Sequence, residues 1–145
     1  MSTPPFYYQK PFPLAPDKTE YESLGSDGVT VERQGDREVL VVSEEALTRL
    51  SNEASKAVCF KLRASHLQQV ADILDDEDAS KNDLMMALTL LRNAEIAARG
   101  ILPNCQDTGT AIVMGKKGQD VYTGYVDEEA ISKGIYKTYT EENLR

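Results

Sequence analysis

The sequence is poor in the residues that most often build metal sites and nucleophilic triads. Its 145 residues include two cysteines, Cys59 and Cys105, and one histidine, His66. No Cys-x-x-Cys pair or matched Cys/His spacing occurs, so no zinc site is encoded locally. A Ser-His-Asp triad or a multi-histidine metal site would have to use His66. Because cytosolic thiols stay reduced, we expect no structural disulfide.

Long apolar runs and an excess of basic residues are also missing. No run approaches the roughly 20 apolar residues that cross a bilayer. The first residues do not have the basic segment and apolar core of a secretory signal. The formal net charge of −8 disfavours binding to nucleic acid or to an anionic membrane. We therefore expect a cytoplasmic protein with neither of these partners.

Proline is concentrated at the start of the chain. Residues 1–27 contain five of the six prolines, and proline fixes φ and removes a backbone donor. This segment therefore predicts an extended arm, with a disordered tail as the alternative. The arm carries Phe6, Tyr7, Tyr8 and Phe12, so we expect it to lie across a surface of its own chain or of another subunit.

Residues 28–145 predict one helix-rich domain of the α+β class with two short β-hairpins. The first hairpin is expected over residues 29–42, with Gly35 at its turn. The second is expected to pair a buried strand at "TAIVMG", residues 110–115, with "VYTGYV", residues 121–126. Two apolar, strand-like runs separated by a glycine-containing turn are the pattern behind both predictions.

Apolar residues at helical spacing predict four helices, over about 44–62, from about 65, over 82–99 and over 127–145. Side chains that can accept a hydrogen bond from the first turn mark the starts of three of them: Ser43, either Ser80 or Asn82, and Asp127. Gly100 stands where a glycine commonly ends a helix.

The loop "PNCQDTGT", residues 103–110, joins the third helix to the apolar run. Cys105 can supply a thiolate, Gln106 an amide and Asp107 a carboxylate, and Gly109 allows close backbone approach to a ligand. Loops held between regular elements often carry function. At this point two interpretations compete: a ligand-binding or catalytic site, or an ordinary turn with a buried cysteine.

Four stretches together resemble the N-terminal part of class I fumarases, the iron–sulfur hydro-lyases: "PFYYQKPFPL", "LPNCQDTGTA", "VMGKKGQDVYTG" and "YTEENLR". The resemblance covers the whole chain, and the pairing of "CQDTGT" with the "GKKGQ" turn is specific. It implies an enzyme that interconverts fumarate and (S)-malate by adding or removing water. It also implies a [4Fe–4S] cluster held by three cysteines, which leaves one iron free to bind substrate.

The same resemblance assigns roles to individual residues. Cys105 falls on the first cluster cysteine of the family, and Gln106 and Asp107 fall on residues that contact substrate. Asp107 is also the candidate for proton transfer. Arg145 falls on an arginine that binds a substrate carboxylate, in keeping with the bidentate bonds that arginine forms with carboxylates.

The cysteine count limits what this chain is expected to do by itself. Cys59 lies in "KAVCFKL", which predicts a buried helical residue. The other cluster ligands are therefore expected outside this sequence, and the chain alone should hold no stable cluster and be inactive. We expect a homodimer or association with the missing C-terminal part. Two alternatives stay open: a non-catalytic interaction module that binds a related fumarase subunit, and a portion of an L-tartrate dehydratase.

The remaining polar candidates have structural interpretations. His66 is expected to be a partly exposed structural residue at the start of the second helix. Lys116 and Lys117 could form part of an anion-binding nest, but a hairpin turn with solvated lysines is the favoured interpretation.

Overall fold

The computed structural model describes residues 5–9, 20–105 and 110–144. Its elements confirm the predicted α+β class. In chain order they are β1 (Val29–Gln34), β2 (Arg37–Val42), α1 (Glu44–Phe60), α2 (Ala64–Asp72), a 3-10 turn (Ile73–Asp75), α3 (Lys81–Ala98), β3 (Val121–Tyr122) and α4 (Asp127–Glu141).

The first predicted hairpin is confirmed. β1 and β2 pair antiparallel, from Val29 opposite Val42 to Gln34 opposite Arg37. The loop between them begins with Gly35, whose φ of 63° lies in the left-handed region that favours glycine. A two-residue loop with positive φ matches the twist of the strands it joins.

The second predicted hairpin is wrong. β3 pairs with β2 in parallel, with Leu40 opposite Val121, and residues 110–118 have no regular secondary structure. The expected burial of that run is also wrong, because Ile112 and Met114 are 81% and 82% exposed. An apolar run predicts burial only where a covering surface exists. Among the described residues, this run only borders a cleft beside α1 and α4.

The helix starts follow the expected capping chemistry in two of three cases. The Ser43 Oγ accepts a hydrogen bond from the Ala46 N–H at 3.2 Å. At α3 the cap is Ser80 and not Asn82: its Oγ accepts from the Asp83 N–H at 3.2 Å, and Asp83 Oδ2 accepts from the Ser80 N–H at 2.9 Å. This reciprocal capping box satisfies two backbone donors.

The fourth helix differs from its prediction at both ends. Val126 stands at the N-cap without a side-chain bond, and Asp127 is the first helical residue. Its Oδ2 instead accepts a hydrogen bond from Lys117 Nζ at 2.5 Å, so the carboxylate is engaged outside the helix. The helix ends at Glu141, and the positive φ of 53° at Asn143 excludes a regular continuation.

Small residues form the centre of the domain, where α4 packs against α1. Ala130 and Thr138 of α4 are 0% and 1% exposed. The Thr138 hydroxyl lies 2.8 Å from Asn52 Oδ1 on α1. A β-carbon at Gly134 would come within 2.8 Å of the Asn52 backbone nitrogen, so the two helices approach each other closely at this point.

The described parts of the N-terminal arm, residues 5–9 and 20–27, contain no helix or strand. Phe6, Tyr7 and Tyr8 are 90%, 83% and 67% exposed, which contradicts packing of these side chains on their own chain. Contact with another subunit and a disordered tail stay as the two predictions for the arm. Phe12 lies outside the described residues.

None of the described helices combines the length and the hydropathy that a transmembrane span requires.

Candidate functional site

The loop that carries Cys105 is tied to the carboxyl end of α1. The chain leaves α3 through Gly100, which has a φ of 71°, and turns toward α1. There the Asn104 N–H donates a hydrogen bond to the Cys59 carbonyl at 2.8 Å. The last carbonyls of a helix have no partner within the helix. This bond therefore satisfies one of them and fixes the loop at the residue before Cys105.

A side chain from α3 holds the same loop from the other side. Asn93 Oδ1 accepts a hydrogen bond from the Cys105 N–H at 2.8 Å. Asn93 Nδ2 donates to the Pro103 carbonyl at 3.5 Å. The first bond has ordinary N–H···O length and is the stronger of the two. One amide therefore brackets the backbone of residues 103–105.

The two cysteines lie in different surroundings. Cys105 is exposed, whereas Cys59 is buried in α1 with 5% exposure. Burial of Cys59 in a helix confirms its prediction. The alternative of a buried cysteine at position 105 is contradicted. An exposed thiol on an anchored loop has the access that a metal ligand or a nucleophile needs.

Cys105 lies at the edge of a recess of about 160 Å³ that is bordered by residues of α2 and α3. Aliphatic side chains form most of its wall, and the polar residues that line it are His66, Asn93, Asn104 and Cys105. His66 is exposed, somewhat more than its expected partial exposure. The structure thus places the only histidine of the sequence beside the same recess as Cys105, which its position in the sequence did not predict.

The Asn104 side chain is buried and has no hydrogen-bond partner in the part of the chain that the structure describes. The residue is 7% exposed, and within residues 5–9, 20–105 and 110–144 neither its Oδ1 nor its Nδ2 has a partner. Buried amides are nearly always hydrogen-bonded, and an unmade bond costs about 1–3 kcal/mol. The Asn104 amide therefore has an open donor and an open acceptor toward groups beyond the described residues.

The sequence patterns did not predict that Asn93 and Asn104 would hold the loop beside Cys105. Asn104 stands in the "PNCQ" motif itself, and its position next to Cys105 was the available signal. For Asn93 the sequence signal was weaker: it is a polar residue between the apolar positions Leu91 and Ala94 of a helix. Helical periodicity alone does not show which loop a side chain reaches.

Three of the predicted site residues, Gln106, Asp107 and Arg145, lie outside the described residues. Their geometry relative to Cys105 is therefore a prediction. Within residues 5–9, 20–105 and 110–144, no group of three or more His, Cys, Asp and Glu side chains is arranged to hold a metal ion.

Lys117 of the "GKKGQD" segment supports the start of α4. Its Nζ bonds to Asp127 Oδ2 at 2.5 Å and to Thr123 Oγ1 at 3.0 Å. Hydrogen bonds from Lys117, and then from Thr123, hold the pKa of the Asp127 carboxyl below its ordinary value. The expected hairpin turn with solvated lysines is therefore wrong for Lys117.

Comparison with known proteins gives consistent matches along the chain. A family described as fumarate hydratase (Fumerase) matches residues 48–145. The whole chain is 56% identical to the aerobic class I fumarate hydratase of Escherichia coli K12 and covers 26% of that protein. The corresponding aerobic protein of Salmonella typhimurium LT2 is also 56% identical, with 25% of its length covered.

A eukaryotic relative extends the comparison. Fumarate hydratase 1, mitochondrial, of Leishmania major is 45% identical over 130 residues, which are 88% of this chain and 24% of that protein. The chain therefore spans about a quarter of the length of the curated relatives it matches.

Proposed function

Because this chain belongs to the fumarate hydratase (Fumerase) family, we propose that it is the N-terminal portion of a class I, iron–sulfur fumarate hydratase. The complete enzyme would interconvert fumarate and (S)-malate by adding or removing water. The observation that carries the proposal is the exposed Cys105 thiol on a loop anchored to both α1 and α3. It lies in the "CQDTGT" motif of a chain that is 56% identical to proteins named class I fumarate hydratases.

The chain's own residues fit one corner of a [4Fe–4S] cluster and not a whole cluster. Cys105 offers a soft, accessible sulfur ligand on a fixed backbone, as such clusters require. The Asn104 amide next to it has no partner among the described residues and suits a neighbouring polar group. Cys59 does not fit, because it is buried in α1. The bound cluster would supply an iron with an open position for substrate oxygen atoms.

The substrate contacts in this proposal come from Gln106, Asp107 and Arg145. Gln106 and Asp107 follow Cys105 directly and would contact fumarate or malate beside it. The Asp107 carboxylate is the group we assign to proton transfer. The Arg145 guanidinium would hold a substrate carboxylate through two parallel hydrogen bonds.

The described fold supports bringing these residues to one place through α1. The carboxyl end of α1 anchors the Cys105 loop at the Cys59 carbonyl. The middle of α1 packs against α4 through Asn52 and Thr138, and Arg145 follows α4 in the chain. One helix thus contacts both the Cys105 loop and α4, the helix that precedes Arg145 in the sequence.

An exposed apolar surface supports association with another polypeptide. Residues 111–114 border a cleft of about 560 Å³ beside α1 and α4. Val58, Ile112 and Met114 at this cleft are 74%, 81% and 82% exposed. Contiguous exposed apolar surface marks a contact region. We assign it to the remainder of the family polypeptide, which would supply the missing cluster ligands, or to the partner in a homodimer.

The same surface suits a non-catalytic module that binds a related subunit, so activity decides between the two roles. Fumarate is favoured over tartrate as substrate because the matched relatives are named fumarate hydratases. We propose the cytoplasm as the compartment, since the role of Cys105 needs a reduced thiol and thiols stay reduced there.

A complementation assay tests the proposal. The chain is reconstituted anaerobically with iron and sulfide, alone and after co-expression with the part of the E. coli K12 relative that lies beyond the matched region, and malate-to-fumarate turnover is measured. We expect turnover only in the assembled sample, its loss in Cys105→Ser and its retention in Cys59→Ala. Turnover by the chain alone, or turnover that survives Cys105→Ser, would contradict the proposal.

A further inference from the structure

The backbone at Cys105 is held by the side chain of Asn93, a residue to which the proposed function gives no role. Asn93 of α3 is half-buried and contacts the loop through both ends of its amide. We propose that Asn93 is the positioning residue of Cys105, which holds the backbone of residues 103–105 so that the thiol faces outward at the edge of the recess. This inference rests on the proposed function of Cys105 as a ligand.

The two contacts with the loop use both a donor and an acceptor of the short Asn93 side chain. The Cys105 N–H needs an acceptor, and Asn93 Oδ1 provides it at 2.8 Å. The Pro103 carbonyl needs a donor, and Asn93 Nδ2 provides it at 3.5 Å. Aspartate has the acceptors without the donor, and leucine has a similar shape with neither. Substitution by these two residues therefore separates the two bonds.

Asn93 is itself held in place by the packing of α3. Its neighbour Ala94 and the residue one turn further on, Ala97, are 7% and 0% exposed. Burial of these two alanines fixes the position of α3, and with it the position from which the Asn93 side chain extends. A side chain whose orientation is already restricted by its helix loses less conformational entropy when it forms its hydrogen bonds.

In its described part, the loop has a further backbone anchor near Cys105, which acts on Asn104 and not on Cys105. The Asn104 N–H bonds to the Cys59 carbonyl, which keeps the loop near α1 when Asn93 is changed. The Cys105 N–H, in contrast, is held by Asn93. Loss of the Asn93 acceptor should therefore free Cys105 locally and leave the rest of the domain folded.

Amide hydrogen exchange on the chain tests the positioning role without any cluster. We expect Asn93→Leu to raise the exchange rate of the Cys105 N–H at least tenfold. Asn93→Asp keeps the acceptor and should retain most of the protection. Asn82→Leu, on the exposed first turn of the same helix, is the matched control and should leave that rate unchanged.

Alkylation of the two thiols distinguishes positioning from general destabilisation. Cys105 is exposed and Cys59 is buried, so in a folded variant Cys105 reacts quickly and Cys59 slowly. We expect this difference to persist in Asn93→Leu. Unchanged exchange at Cys105 in Asn93→Leu, or Cys59 reacting as fast as Cys105 in that variant, would overturn the proposal.

A second readout concerns the assembled iron–sulfur protein. There we expect Asn93→Leu to lose its cluster absorbance to a chelator several-fold faster than the wild type, with Asn93→Asp in between. Equal rates in all three proteins would overturn the link between positioning and ligation. If the assembled wild type carried no cluster, the proposed function would fail, while the exchange experiment would still decide whether Asn93 positions Cys105.

Discussion

At the residue scale, the described part of the Cys105 loop is held by the neutral side-chain amide of Asn93 and by the backbone N–H of Asn104. Asn93 bonds to the backbone of residues 103 and 105, and the Asn104 amide is buried beside them with no partner among the described residues. Family resemblance in the motif gave the proposed role of Cys105, which stays a prediction. It could not predict Asn93, because the contact joins residues 12 positions apart and depends on how α3 directs its side chains. The positions of Gln106, Asp107 and Arg145 stay predictions.

Also at the residue scale, the Lys117–Asp127 pair predicts a specific pH dependence of stability. The pKa of Asp127 in the folded protein lies below its ordinary value of 3.8, chiefly because Lys117 donates to it. The ionised carboxylate therefore stabilises the fold above the unfolded-state pKa. That contribution is lost as the pH falls through the folded-state pKa.

Lys117→Met removes the main cause of this shift. We expect the variant to have a lower urea midpoint than the wild type at neutral pH, and the difference to shrink toward zero as the pH falls from about 5 to about 2. Lys81→Met, on the exposed first turn of α3, is the control. A difference of the same size at every pH would show that Lys117 acts without Asp127.

At the element scale, local sequence signals predicted the helices and the first hairpin, but they did not predict the long-range contacts. Capping at Ser43 and Ser80 and the turn at Gly35 are properties of neighbouring residues. The parallel pairing of Leu40 with Val121 joins distant segments, and nothing in "VYTGYV" specified that partner. In α4 the helical periodicity indicated Ile131, Ile135 and Tyr139 as packing residues, and these are half-buried. The residues buried at the contact with α1 include Gly134 and Thr138.

The close contact of α1 and α4 predicts an unusual effect of a helix-favouring substitution. Alanine replaces glycine in a helix with a gain of about 1 kcal/mol in an open position. At Gly134 the added β-carbon would meet the backbone of Thr48 and Asn52, which cannot move without displacing α1. We expect Gly134→Ala to lower the free energy of unfolding by about 1–3 kcal/mol, as other overpacked cores show.

Urea unfolding followed by circular dichroism measures this effect. Gly115→Ala is the matched control, because a β-carbon there meets nothing within 4 Å. Equal or greater stability of Gly134→Ala would contradict the close helix contact described above.

At the scale of the whole molecule, several features bear on the proposal that the chain is one part of a larger assembly. Its buried apolar core consists largely of small residues, while Val58, Ile112 and Met114 lie exposed at one cleft. It has one accessible thiol, and it spans about a quarter of the length of the relatives it matches. The family could be predicted from the sequence because its motif residues are local. The exposure of residues 111–114 could not, because apolar runs are ordinarily buried.

The central claim is that Cys105 is one ligand of a cluster completed by another polypeptide. The most direct test is the iron and acid-labile sulfide content of the anaerobically purified assembly of this chain with the remainder of an E. coli K12 relative. The account predicts about four iron and four sulfide per assembly for the wild type and for Cys59→Ala, in keeping with a cubane cluster, and a marked loss for Cys105→Ser. Full iron and sulfide content in Cys105→Ser would contradict it.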